Sequence, residues 1–161
     1  MTGPDGLGSA DTLEEDHVAD QASSSIVIDA PVDEVLGVIR DLPSYPQWAG
    51  QIASATVLEE GAHGPTRATF ALSASGFSDD YTLVYQWQAD GVSWELAEPT
   101  KLQKSQRGSY RLAAQGSSTQ VTYLLTLESK VPMIGMMRRK AEKMIIDSAL
   151  KELKKRVESL R

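Results

Sequence analysis

Two acids in a row, Asp79-Asp80, stand beside the aromatic segments of this 161-residue chain and could move a proton. Paired carboxylates do acid–base work only when both reach one substrate. Neighbours on a strand point to opposite faces, so these two do not form a shared-proton dyad, and a strand-edge or turn role is expected. The two histidines, His17 and His63, would have to converge from a tail and a loop to make a triad or a metal site. The chain has no cysteine, which excludes disulfides and thiolate ligands, and no asparagine, which excludes an N-glycosylation sequon. No metal and no cofactor is expected, and no catalytic residue is assigned.

The aromatic residues offer a different chemistry. Tyr81, Tyr85 and Trp87 share one face of a segment with a period of two. Trp94 continues that face, and Phe70, Tyr110 and Tyr123 occupy matching positions on other segments. Apolar walls with a few phenol or indole handles are how small-molecule sites are built. In most proteins such a row is plain core. Trp48, in Tyr45-Pro46-Gln47-Trp48, is placed either to pack on a ligand at the mouth of a cavity or to plug the end of the core. In the polar stretch 101–111, alternation sets Gln106 and Tyr110 on one face and Arg107 and Arg111 on the other. The arginines, and Arg67, are expected in solvent; one turned inward would bind a carboxylate or enolate oxygen.

These residues need elements to hold them. Ser23 to Asp29 alternates around Ile26 and Ile28 as a strand. Pro31, then Asp33 and Glu34, start a helix over 31–40, with Val32, Val35, Leu36 and Ile39 on one side. Pro43 and Pro46 confine the next residues to a turn or a very short helix. Strands are predicted over 52–60, 66–75, 80–88, 92–96, 102–114 and 120–129, broken by Gly- and Pro-containing turns, as an antiparallel meander. A single long helix then runs from Met133 to Leu160. Its apolar stripe is read as Met137, Ala141, Ile145, Ala149, Leu153 and Val157, with Lys140, Lys143, Asp147, Lys151 and Lys154 opposite.

Charge is divided along the chain. The net charge is -6, yet residues 1–20 alone hold six acids and no Lys or Arg. Residues 1–20 are expected to be a disordered acidic tail and 21–161 the folded domain. The last 32 residues carry ten bases and four acids. Acids interleave with those bases and the remainder of the chain is neutral, so nucleic-acid binding is not expected. No segment reads as a secretory signal or a membrane span, which makes a cytoplasmic location the expectation.

The run Ile26-Val27-Ile28-Asp29-Ala30-Pro31-Val32-Asp33-Glu34-Val35, followed by Asp41-Leu42-Pro43-Ser44-Tyr45-Pro46-Gln47-Trp48, resembles the START-like, helix-grip (SRPBCC) superfamily. The likeness is to its bacterial polyketide cyclase/dehydrase and lipid-transport branch, over roughly residues 22–160. It implies an α+β helix-grip fold: a curved antiparallel sheet of six to seven strands wrapped around a long C-terminal helix, with two short helices after the first strand. It also implies a cavity for lipids, quinones or polyketides. The ligand-binding set expected on this basis is Trp48, Phe70, Tyr81, Tyr85, Trp87, Trp94, Gln106, Tyr110, Tyr123, Met137, Ala141 and Ile145. The leading expectation is a carrier of an apolar or amphipathic small molecule. The alternative is an aromatic-polyketide cyclase or dehydratase. A third reading is a docking module that touches an anionic membrane through Arg138, Arg139, Lys140 and Lys143.

Overall fold

The structure, a computed structural model, describes residues 21–74, 76–132 and 134–161. The acidic tail, His17 and Met133 lie outside the described residues. Strand β1 (Ala22–Ile28) leads into helix α1 (Val32–Arg40) and a 3-10 helix (Leu42–Gln47). Six strands follow: β2 (Ile52–Gly61), β3 (Gly64–Ala74), β4 (Phe77–Gln88), β5 (Gly91–Leu96), β6 (Gln103–Gln115) and β7 (Ser118–Ser129). Helix α2 (Gly135–Ser159) closes the chain. All seven strands form one antiparallel sheet in the order β1-β7-β6-β5-β4-β3-β2.

The local chemistry explains these boundaries. Pro31, extended at φ -70° and ψ 161°, caps α1, Asp33 and Glu34 lie in its first turn, and Arg40 lies in its last. Val35, Leu36 and Ile39 form its buried side. The two prolines in Leu42–Gln47 permit only the short 3-10 turn. Inward residues alternate along the strands, as in Ala68 and Phe70 of β3, Leu83 and Tyr85 of β4, and Val121, Tyr123 and Leu125 of β7, all of which are buried. Buried Thr119 donates from Oγ1 to the Ala30 carbonyl at 2.7 Å, tying β7 to the start of α1.

Helix α2 makes its close backbone contacts with β1, β7 and α1.

One reading of α2 is corrected. Its buried residues are Glu142, Ile146, Leu150, Leu153 and Val157. The expected stripe shares only Leu153 and Val157 with these. A helix advances about 100° per residue, so each step of four drifts about 40°. Counting back from Leu153 by fours therefore walks off the buried face. Met137 is 55% and Ile145 38% exposed, and Ala141 is half-buried. The real stripe shortens one step to three and stays on one side, at the cost of turning Glu142 inward.

Candidate functional site

All five tyrosines of the chain lie in one interior region. Tyr81 and Tyr85 on β4, Tyr110 on β6 and Tyr123 on β7 stand on the concave face, and Tyr45 reaches it from the 3-10 helix. The rings fall into two ladders. In the first, Trp48 meets Tyr45 edge-on at 4.8 Å, Tyr45 lies 6.1 Å from Phe70, and Phe70 stacks on Tyr81 at 5.4 Å. In the second, Trp87 stacks on Tyr85 at 5.8 Å and Tyr85 leads to Trp94 at 6.0 Å. Trp94 then contacts Tyr110 at 5.4 Å and Tyr123 at 5.7 Å. Trp94 lies across β6 at Gly108, where an added Cβ would collide with the indole ring, so only glycine leaves it room.

The phenols share an electrostatic environment. Burial pushes the Tyr45, Tyr85, Tyr110 and Tyr123 hydroxyls well above the ordinary phenol range, and neighbouring phenols add to the effect. Tyr81 rises as well, through burial and then through the nearby Asp79 carboxylate. All five therefore stay neutral across the physiological range and can donate a hydrogen bond. Tyr45 spends its hydroxyl on the Ile39 carbonyl at 2.7 Å. The hydroxyls of Tyr81, Tyr85, Tyr110 and Tyr123 have no hydrogen-bond partner among the described residues, and none is sealed off as Trp48 Nε1 is. Each of these hydroxyls therefore reaches open space, where a ligand or water can satisfy it.

Beside the second ladder runs a directed chain of polar groups. Trp94 Nε1 donates to Gln106 Oε1 at 3.1 Å. Gln106 Nε2 donates to Gln103 Oε1 at 2.7 Å, and Gln103 Nε2 lies 3.5 Å from Asp79 Oδ2. Thr100 Oγ1 donates to the same oxygen at 2.6 Å. An indole can only donate, which fixes the orientation of both amides and points every donor towards the Asp79 carboxylate. The other carboxylate oxygen, Oδ1, has no partner among the described residues.

Asp79 and Asp80 part to opposite faces, as expected, and Asp79 is the inward one. It is 5% exposed and bonded to a neighbouring loop rather than idle at a turn, while Asp80 is exposed. The parity of β4 already puts Asp79 on the face of Tyr81 and Tyr85. That parity was the available signal; an acid among aromatics masked it. Thr100 and Gln103 gave no sequence signal, because their loop and bulge break the period. Glu152 was also missed. It accepts from the Gly50 N–H at 3.2 Å and lies close enough to Tyr110 to raise its phenol.

The other expected residues separate by place. Gln106 and Tyr110 face inward together. Arg107 is exposed and 3.9 Å from Glu95, and Arg111 is exposed. Trp87 sits at the far end of the sheet, its Nε1 donating to the Pro65 carbonyl at 2.6 Å. There it faces an open pocket of about 660 Å³ shared with Leu36, Arg40 and His63. Arg40 lies over its ring at 5.5 Å and donates to the His63 carbonyl at 3.0 Å. A second open pocket, about 400 Å³, lies where β5 parts from β4 and includes Asp79, Tyr81 and Thr100. Met137 and Ile145, exposed on α2, do not join the aromatic interior. No group of His, Asp and Glu with metal-holding geometry occurs among the described residues.

A family model described as polyketide cyclase / dehydrase and lipid transport matches residues 28–154. The chain belongs to this family. Its fold is shared with a START superfamily protein from Mycobacterium smegmatis at a TM-score of 0.82 and 22% identity, covering 88% of this chain and 99% of that one. It is similar to the Zhui aromatase/cyclase from Streptomyces sp. R1128 at a TM-score of 0.70 and 13% identity, covering 86% and 93%. A STAR-related lipid transfer protein fragment from Xanthomonas axonopodis aligns at 0.69 and 18% identity, covering 84% of each chain. No curated protein sequence matches the chain. The seven-stranded sheet gripping a long C-terminal helix is the START helix-grip fold, that of a ligand-binding, polyketide-cyclase-type domain. No helix among the described residues is long and apolar enough to cross a membrane.

Proposed function

We propose that this START-like domain binds and carries an apolar or amphipathic small molecule, of lipid, quinone or polyketide type, against the aromatic concave face beneath α2. The observation that carries this reading is the set of four inward phenols, Tyr81, Tyr85, Tyr110 and Tyr123, left without protein partners on an apolar wall. The ligand-contacting set is Phe70, Tyr81, Tyr85, Trp94, Gln106, Tyr110 and Tyr123, with Trp48 at one margin. The neutral dye N-phenylnaphthylamine should bind with micromolar affinity and brighten. Tyr110→Phe combined with Tyr123→Phe should shift that affinity while the protein stays folded. Absence of dye binding by the folded protein would remove this reading.

A cyclase or dehydratase activity has one observation in its favour. Tyr81 and the Asp79 carboxylate lie close enough to couple electrostatically, and a phenol beside a carboxylate can pass a proton to or from an enolisable carbonyl. Turnover of a poly-β-ketone by the wild type, lost in Asp79→Asn, would identify an enzyme.

Cargo exchange at an anionic bilayer is supported by the first turns of α2. Ile134, Met136 and Met137 are 66%, 72% and 55% exposed, and the exposed bases Arg139, Lys140 and Lys143 stand among them, with Arg138 half-buried. Co-sedimentation with vesicles should rise with anionic lipid, fall with salt, and weaken in Arg139→Glu/Lys140→Glu. Sedimentation indifferent to all three would confine exchange to solution.

A further inference from the structure

The sign of the charge buried in the interior narrows the class of ligand. Among the described residues the buried acids are Asp79 at 5% exposure and Glu142 at 0%; no Lys, Arg or His is buried as a whole residue, and Arg138 is half-buried on α2. Glu142 is committed to the fold, accepting from the Leu127 N–H at 2.7 Å. Asp79 is only half committed. Thr100 and Gln103 both address Oδ2, and Oδ1 stays without a partner. The register sets Asp79 opposite Leu72 and on the face of Tyr81, whose phenol it raises, so the carboxylate belongs to the aromatic side of the sheet. The directed chain from Trp94 through Gln106 and Gln103 leaves no amide free to turn and offer a donor at Oδ1.

We infer that the interior selects amphipathic ligands whose polar end donates a hydrogen bond, an alcohol or phenol, over carboxylic acids of the same apolar length. A hydroxyl meeting Asp79 Oδ1 supplies the missing donor to a charged acceptor, the stronger kind of hydrogen bond. An ester meets an acceptor with another acceptor. A carboxylate adds a second negative charge beside Asp79, and the one base lining the Asp79 pocket, Lys101, is exposed, so solvent screens it. The free phenols can donate to a carbonyl further along the ligand, but they supply no positive charge. The preference is therefore for neutral, hydroxylated molecules.

This inference rests on the carrier reading, and one titration separates the two. N-phenylnaphthylamine is bound first and then displaced by decanol, methyl nonanoate or decanoate, at a pH well above the carboxylic acid range. Decanol is expected to compete at least about tenfold better than either of the others, as a site built around a hydrogen bond rejects analogues lacking the donor. In Asp79→Asn the amide can present N–H where Oδ1 was, and the advantage over decanoate should collapse. Asp90→Asn, exposed in the β4–β5 turn and outside the Asp79 pocket, should leave all three ratios unchanged. If the dye binds and decanoate or the ester competes as well as decanol, the inference is overturned and the carrier reading stands. A folded Asp79→Asn that keeps the wild-type ratios overturns it equally. Should Asp79→Asn fail to fold, the alcohol-to-ester ratio of the wild type decides alone. If the dye does not bind the folded wild type, both readings fall together.

Discussion

From Leu150 onward, α2 buries Leu150, Leu153 and Val157 and fastens its polar edge to separate parts of the molecule. Lys154 reaches the Val27 carbonyl at 2.8 Å and Glu158 at 2.6 Å, Glu158 accepts from the Asp29 N–H at 2.9 Å, and Arg156 donates to Gln47 at 2.9 Å. From Gly135 to Ile145 the same helix buries Glu142 and leaves Met136, Met137, Met144 and Ile145 exposed. Both halves are rich in apolar residues, and only one covers them. The second half is a beam fixed by its own packing. The first is tied to the sheet by polar contacts, Glu142 with the Leu127 N–H and Lys143 with Ser24, and presents an apolar, basic surface.

The widest gap between the halves should appear on truncation. Leu153→Ala removes a fully buried side chain and should cost about 2–5 kcal/mol in chemical denaturation. A loss under about 1 kcal/mol would mean that the beam is not packed as described.

The Leu153 stripe also marks where sequence reading succeeded and failed. Period-two alternation exposed the meander, and Pro31 with Asp33 and Glu34 exposed α1, because one solvent-facing side and one buried side leave a plain pattern. Along α2 the pattern misled, since Glu142 faces inward and Met136, Met144 and Ile145 face outward. Hydrophobicity reports the inner face only where burial and polarity agree. At Asp79 they disagree for the same reason: hydrogen bonds from Thr100 and Gln103 make an inward acid tolerable. No spacing rule sees partners brought in from another loop.

Glu142 is a buried polar tie between the first half of α2 and the sheet. Glu142→Ala takes away the acceptor for the Leu127 N–H, and the fold should lose about 1–3 kcal/mol. Hydrogen exchange should speed at Leu127 and over the first turns of α2, with the Leu150–Val157 amides still protected. Uniform loss of protection along the helix would erase the distinction between the halves.

Acid should loosen the fixed half by a smaller amount. The hydrogen bond from Lys154, then that from the Asp29 N–H, holds the Glu158 carboxyl below its ordinary value. A depressed carboxyl stabilises the fold above the ordinary glutamate range, and that contribution is lost as pH falls through it to the folded-state value. The group is partly exposed, so solvent screening limits the effect to roughly 0.2–1 kcal/mol. Glu158→Gln should flatten that part of the stability-versus-pH curve. An unchanged curve would show that the pair is idle. Smallest of all, Met136→Ser or Met144→Ser should move stability by no more than about 0.5 kcal/mol, both being largely solvated. A larger loss would mean that those methionines are covered.

The fastening of α2 joins the two ends of the described chain. Asp29 is bonded to Glu158 across 129 residues, Glu34 to Arg161 across 127, and β1 pairs with β7. During synthesis the first strand and helix leave the ribosome long before the partners that complete them. The β2–β6 meander, made of neighbours in sequence, can assemble as it emerges, but the sheet cannot gain its β1 edge until β7 is out. Contacts this distant slow folding and leave unpaired edges waiting. A chain ending before the last two turns of α2 would leave the β1–α1 segment without Glu158 and Arg161, the partners of Asp29 and Glu34.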